Sequence, residues 1–207
     1  MGGYRTADWP APPGVHAIVT TRAGGVSAGA RAGFNLAAHV GDDPDAVAEN
    51  RRRLRVAAGL PAEPLWLRQV HGTGVAVHDG AAAHAPEADA AVTTEPGRVL
   101  AVLTADCLPV VLASRDGRRL GVAHAGWRGL AAGVLEATVA ALDVQGEDLV
   151  AWLGPAIGPA AFEVGEEVRE AFVAPDPATS TAFTGNARGL WQADLYALAR
   201  RRLGRLG

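Results

Sequence analysis

The chain of 207 residues contains no lysine; all 19 of its basic residues are arginine. Schiff-base chemistry and the phosphate loop ending in Gly-Lys-Ser/Thr both need a lysine amine, so both are excluded. Any phosphate must be held by arginine forks or backbone N–H groups. Cysteine is nearly as scarce. The single Cys107 closes no intramolecular disulfide, which agrees with a reducing compartment and leaves the thiol as core filler, metal ligand or nucleophile. No apolar run reaches the roughly 20 residues of a membrane-spanning helix, and the N-terminus MGGYRTADWPAPPG lacks the basic start and apolar middle of a secretory signal. The expectation is a cytoplasmic protein with no membrane partner. A field of one sign is also missing, since the formal net charge is -3. Nucleic acid is therefore not an expected partner, and the arginine runs RRRLR (51–55) and ARRRLGRLG (199–207) read as solvated helix faces.

What is present is the profile of a globular protein: 49% hydrophobic residues, 20% charged residues and a length that suits one domain over 1–207. Apolar runs recur as HAIVTT, LWLRQV, VAVH, ADAAVT, VLAVLTA, LPVVLAS and LGVAHA, then LVAWLG. Their lengths and their Gly, Pro and Asp boundaries predict strands. Asp116-Gly117 marks a hairpin turn, so LPVVLAS and LGVAHA should be antiparallel neighbours. Helices are predicted over DDPDAVAENRRRLRVAAG, with Asp43 as N-cap, Pro44 in the first turn and Gly59 as stop; over GLAAGVLEATVAALD, apolar all round and so buried; and over WQADLYALARRRLG, where Leu195, Leu198 and Leu203 form one stripe. APDPATSTAFTGNARG (174–189) reads as a long surface loop. Runs of strands with occasional helices predict an α+β fold, a single-domain layered sandwich of mixed β-sheet and helices.

The stretch LTADCLPVVLASRDGRRLGVAHAGWRG (103–129) carries Cys107 and, seventeen positions later, His124. In the predicted hairpin the two residues lie about nine positions before the turn and about seven after it, which brings both to one end. His71, in LRQVHGTG, ends another predicted strand. Two histidines and a thiolate suit borderline-soft Zn²⁺ with the fourth position left to water. The spacing alone is no recognised zinc signature, and on the pattern alone a cysteine and histidines packed as ordinary core residues are the commoner outcome. GVSAG (25–29) fits a nucleophile-elbow pattern, but no predicted helix follows it, and Glu166 and Glu167 read as solvated or capping residues.

TTRAGGVSAG, FNLAAHVGDDPDAVAENRRRL, WLRQVHGTGV, ADAAVT, LAVLTADCLPVVL, GVAHAGWRGLAAGVLE and LGPAIGPAAFEVGEEV, in this order over residues 20 to 200, resemble the bacterial laccase-domain or polyphenol-oxidase family. ADC and HAGWRG are its most specific pieces. Members of that family are described as purine nucleoside phosphorylases with adenosine deaminase activity, some as peptidoglycan editing factors. The resemblance implies a zinc site at His71, Cys107 and His124, a fold similar to a bacterial toxin cysteine hydrolase, and the nucleosides adenosine, inosine and methylthioadenosine with phosphate as substrates. For phosphorolysis, Arg22 and Arg128 are the candidates to hold phosphate. Asn35 and Gln69 suit polar edges of base or ribose, and Asp106 suits either an acid or a group orienting a metal ligand. Solvated, salt-bridged or purely structural roles account equally well for these side chains one by one. Family members continue beyond the segment on which this sequence ends, so if that continuation helps build the substrate pocket, activity is expected to be weak, altered or absent.

Two chemistries fit the residue inventory poorly. A multicopper oxidase needs many histidines, and this chain has six histidines and one cysteine, with His16, His78 and His84 outside the motifs. Cu²⁺ is expected only as an alternative ion at the same site. The HxE and PCxxC pattern of the familiar zinc deaminases is absent, so deamination would need a different base. A metal-free hydrolase with Cys107 as nucleophile and His124 as base, and a non-catalytic binding or editing protein with a structural zinc, remain as alternatives.

Overall fold

A computed structural model describes residues 3–80 and 85–207, which leaves His84 outside the described residues. The chain begins with β1 (Tyr4–Thr6) and β2 (Ile18–Thr20), paired antiparallel, and then α1 (Pro44–Ala58). Asp43 caps α1 by accepting from the Asp45 N–H, Pro44 opens it, and Gly59 closes it in the left-handed region at φ 60°, as its sequence predicts. Next come β3 (Val75–Val77), β4 (Ala90–Thr93), β5 (Leu108–Ser114) and β6 (Leu120–Ala125), then α2 (Trp127–Ala132), α3 (Val134–Leu142) and β7 (Leu149–Leu153). The chain ends with β8 (Glu163–Val164), α4 (Glu166–Val173), β9 (Phe183–Gly185), β10 (Trp191–Ala193) and α5 (Leu195–Leu203).

The centre is a five-stranded sheet in the order β3-β4-β6-β5-β7. It is mixed, because β3 runs parallel to β4 while the other pairs are antiparallel. The β5–β6 hairpin forms as expected: Gly117 turns at φ 71°, and Asp116 Oδ1 accepts from Ser114 Oγ at 2.5 Å and from the Arg118 N–H at 3.0 Å. Strand alternation gives the sheet two different faces. Ala90, Val92, Leu108, Val110, Leu112, Ala123 and Ala125 face a core shared with Leu130, Leu135, Phe172, Leu195 and Leu198 from the helices. Ala91, Val122 and Val111 face the opposite side, where Leu65, Leu67, Leu100 and Val102 cover them.

That second face explains two departures from the sequence reading. LWLRQV and VLAVLTA form no regular strands; they meet through an isolated Leu65–Leu100 bridge and through the bonds of Gln69 to the Leu103 backbone. Their side chains lie on the sheet as a cover instead of extending its hydrogen-bond ladder. The predicted helix over GLAAGVLEATVAALD breaks into α2 and α3 at Gly133, whose φ of 103° caps one helix and opens the next. WQADLYALARRRLG likewise splits, with Trp191–Ala193 as a strand and the helix starting at Leu195 behind the Asp194 cap. Residues 174–189 are not a plain surface loop: a 3₁₀ helix (Pro177–Ala182) and β9 fill that segment and bury Thr179, Ala182 and Phe183.

Nor are the arginine runs simply solvated. Arg52 and Arg53 grip Glu49, with the bond from Arg52 leading, and hold its carboxyl down to about 2. Arg51 is half-buried, stacks on Trp66 at 3.9 Å and donates to the Leu36 carbonyl. Arg201 and Arg205 share Asp176, and Arg202 binds Glu136 and the Ala131 carbonyl.

Candidate metal centre

Sheet register assembles the site. Ala90 pairs with Ala123, Pro109 with His124, and Leu108 with Ala125. One step beyond Ala90, the Asp89 carbonyl accepts from the His124 N–H at 2.7 Å. One step beyond Leu108, Cys107 falls opposite Gly126. Because side chains alternate, Asp89, His124 and Cys107 all leave the face turned away from the helices. His71 approaches from the chain that leads into β3, whose parallel register with β4 sets residues 70–74 beside Asp89.

The donor atoms of His71, Cys107 and His124 lie within 4.8 Å of one another, the sole such group of three or more among the described residues. The two imidazoles meet edge to face with centroids 4.7 Å apart. His124 is 3% exposed, Cys107 is partly buried and His71 is exposed, so the cluster opens on one side. His124 Nδ1 contacts Asp89 Oδ1 at 2.8 Å, which leaves Nε2 as the nitrogen available to an ion. Gly126 makes the close approach sterically feasible: a Cβ there would lie 2.8 Å from Cys107 Sγ and 3.3 Å from the His71 ring. Gly129 does the same for the backbone, since a Cβ would meet the Gly72 carbonyl at 2.9 Å.

Local electrostatics set the protonation states. Burial lowers the His124 pKa and outweighs the bond to Asp89, which pulls the other way. Burial also pushes the Cys107 thiol up, reinforced by the charge and hydrogen bond of Asp106. For Asp89 burial is the largest influence and would raise the carboxyl. Bonds from His124 and from the N–H groups of Gly72, Val70 and His71 together overcome it and leave the group below its ordinary value.

The other predicted residues divide. Asp106 is exposed next to Cys107, while its carbonyl accepts from the Ile157 N–H at 2.9 Å. Arg128 is exposed in the first turn of α2, with its guanidinium 4.5 Å from the Trp127 ring centre and no carboxylate partner among the described residues. Gln69 clamps the Leu103 backbone, donating to its carbonyl at 2.8 Å and accepting from its N–H at 2.7 Å. Asn35 binds Asp42 and the Ala37 backbone, and Arg22 donates to the Ala32 carbonyl at 3.0 Å. Among the described residues these last three make no hydrogen bond to the His71–Cys107–His124 donors. Ser27, the centre of the elbow-like GVSAG, is buried and bound to Asp42 and Asn50, so it is structural. Sequence reasoning missed Asp89 and Gly126. The signal for Asp89 was its place beside an alanine-rich strand, where a carboxylate is rarely buried without partners.

Known proteins resemble this chain over most of its length. The chain is 54% identical over 208 residues to "Purine nucleoside phosphorylase PA4543" of Pseudomonas aeruginosa, covering 100% of this chain and 84% of that one. It is 53% identical over 199 residues to "Purine nucleoside phosphorylase YfiH" of Escherichia coli strain K12, covering 96% and 82%. The crystal structure of Neisseria meningitidis protein NMB0706 superposes with a TM-score of 0.94 at 49% identity, covering 99% of this chain and 84% of that one. YlmD from Geobacillus stearothermophilus gives a TM-score of 0.91 at 30% identity, covering 99% and 82%. A family model described as "Multi-copper polyphenol oxidoreductase laccase" matches residues 16–207. The chain therefore belongs to the multi-copper polyphenol oxidoreductase laccase family.

Proposed function

We propose that this chain is a zinc-dependent purine nucleoside phosphorylase acting on adenosine, inosine and methylthioadenosine. The observation that carries the reading is a cluster of three protein donors, open on one side, in a chain more than half identical to relatives named for that activity. Two imidazoles and a thiol fit Zn²⁺, with Cu²⁺ as the alternative, and the Asp89 bond already holds His124 in the tautomer a metal requires. When bound there, the ion supplies a Lewis acid with one position left for water or substrate. An oxidase needs more histidine than this: among the described residues one three-donor group is present, and His16 and His39 are exposed apart from it.

In phosphorolysis a phosphate oxygen forms the bond to C1′ of the sugar while the C1′–N9 bond breaks. The electron pair leaves with the purine, which takes up a proton, and the products are free base and pentose 1-phosphate. Arg128, unpaired with any described carboxylate, neutralises and orients the phosphate. Arg22 has guanidinium N–H groups beyond the one given to Ala32 and is the second phosphate contact. Asp106, exposed beside Cys107, holds the proton that the purine takes. Asn35 and Gln69 shape the base and ribose subsite mainly by fixing the segments around it. The same site, with water as the attacking group, would convert adenosine to inosine and ammonia.

One observation favours a second reading. Asp89, His124 and Cys107 form the array of a thiol hydrolase, in keeping with a toxin-hydrolase-like fold. The raised thiol pKa opposes it, because a nucleophilic cysteine needs a lowered one. A purely structural zinc would call for a fourth protein ligand, and among the described residues the cluster offers three. The test is adenosine with and without inorganic phosphate. Adenine and ribose 1-phosphate appearing in equal amounts, and only with phosphate, is the expected result. Adenine release that ignores phosphate, or activity indifferent to chelators, refutes the proposal.

A further inference from the structure

We infer that Asp89 is a positioning residue that locks both histidine ligands of the metal centre into their binding geometry before any ion arrives. The inference rests on the metal-site part of the proposed function and not on the nucleoside chemistry.

Asp89 is fully buried and spends its whole carboxylate on this site. Oδ1 accepts from the His71 N–H at 2.9 Å and contacts His124 Nδ1 at 2.8 Å. Oδ2 accepts from the Val70 N–H at 3.1 Å and the Gly72 N–H at 2.7 Å. Three consecutive backbone N–H groups thus converge on one carboxylate, the concave arrangement that fixes an anion. The residue at the centre of that turn, His71, has φ of 61°, one of two non-glycine residues with positive φ among the described residues. Such a backbone costs free energy and persists only where its surroundings enforce it. Here the enforcing group is the carboxylate that also fixes the ring orientation and tautomer of His124.

Sheet pairing makes this double duty feasible. Asp89 follows the parallel register toward residues 70–74 on one side, with its N–H donating to the Gly74 carbonyl at 3.0 Å. On the other side it sits across from His124 through the antiparallel β4–β6 pair. One carboxylate is therefore shared by two ligands that are 53 positions apart in sequence (124 − 71).

Asp89→Asn tests the inference with little change of shape. An amide in that place turns an NH₂ toward N–H donors or gives up the His124 contact. Co²⁺ and Zn²⁺ binding by the full-length protein are measured by competition with a chromophoric chelator, together with the sulfur-to-cobalt absorption band of Cys107. The ring tautomer of His124 is read by ¹⁵N NMR of metal-free protein, and folding by circular dichroism. The expected results are Nδ1–H on His124 in the wild type, loss of that preference in the variant, and about 10- to 100-fold weaker metal binding. Equal affinity with an unchanged cobalt spectrum overturns the inference. Should the variant fail to fold, the wild-type tautomer decides: Nδ1–H supports the role of Asp89 and Nε2–H refutes it. A wild type that binds no metal refutes the metal reading itself, and this inference with it.

Discussion

At the scale of single residues, the site depends as much on what is missing as on what is present. Gly126 contributes no side chain, and that absence lets Cys107 Sγ and the His71 ring close on one point. Gly126→Ala is expected to lower bound zinc from about one per chain to well under half, with the fold retained; elemental analysis after dialysis against a weak chelator is the measurement. Arg128 is on the surface and has no carboxylate partner among the described residues, so removing its guanidinium leaves nothing buried unpaired there. Arg128→Ala is expected to raise the phosphate KM by roughly 10-fold or more, the loss of one charge-assisted contact, with melting temperature unchanged. An unaltered phosphate KM assigns phosphate to other groups. The three metal donors were legible as residue types in the sequence. Asp89 and Gly126 were not, since a buried carboxylate and a steric gap gain meaning only from neighbours distant in the chain.

At the scale of elements, local rules predicted some pieces and failed at others for identifiable reasons. α1 has the start, first turn and stop its sequence signals, because each is a matter of backbone chemistry within a few residues. Its inward face does more than pack. Asn50 is fully buried, accepts from the Val26 N–H at 2.9 Å and donates to Ser27 Oγ and the Asn35 carbonyl at 2.9 and 2.8 Å. One amide thereby ties the glycine-rich segment that holds Arg22 and Asn35. Asn50→Ala leaves those partners unsatisfied in a dry environment and should cost about 2–4 kcal/mol by urea denaturation. Zinc content should stay near the wild-type value, since no bond of Asn50 reaches the metal centre. The failures lie elsewhere: LWLRQV and VLAVLTA satisfy every strand pattern, yet they are used as cover for the sheet. Apolar periodicity reports burial, and burial on a sheet is the same whether a segment pairs with it or lies over it.

For the whole molecule, the proposed metal centre would also be a stability element. The candidate donors come from the approach to β3, from the start of β5 and from β6, so an ion bound there would join segments that separate on unfolding. Chelation should lower the melting temperature, by an amount corresponding to about 2.7 kcal/mol when free zinc had stood at roughly 100 times its Kd. Acid should act on the metal-free protein in two stages. Burial keeps the folded His124 pKa below the ordinary value of 6.5, so as pH falls through about 6.5 the unfolded chain takes up a proton that the folded chain refuses, and stability declines. Asp89 has a folded pKa below 3.8, so its contribution holds above about pH 4 and disappears only as pH falls through that lower value. Urea midpoints for metal-free protein that do not change between about pH 7.5 and 5.5 contradict the first stage. The sequence by itself determined the absence of lysine chemistry, the hairpin that carries Cys107 and His124, the capped first helix and the donor types, because these follow from composition and from interactions within a few residues. Tertiary structure alone decided that His71 joins the other two donors, that Asp89 supports both histidines and that the second sheet face is covered by irregular chain. Those outcomes depend on strand register between segments far apart in the chain, and shifting a strand by one residue would turn each of these side chains to the opposite face.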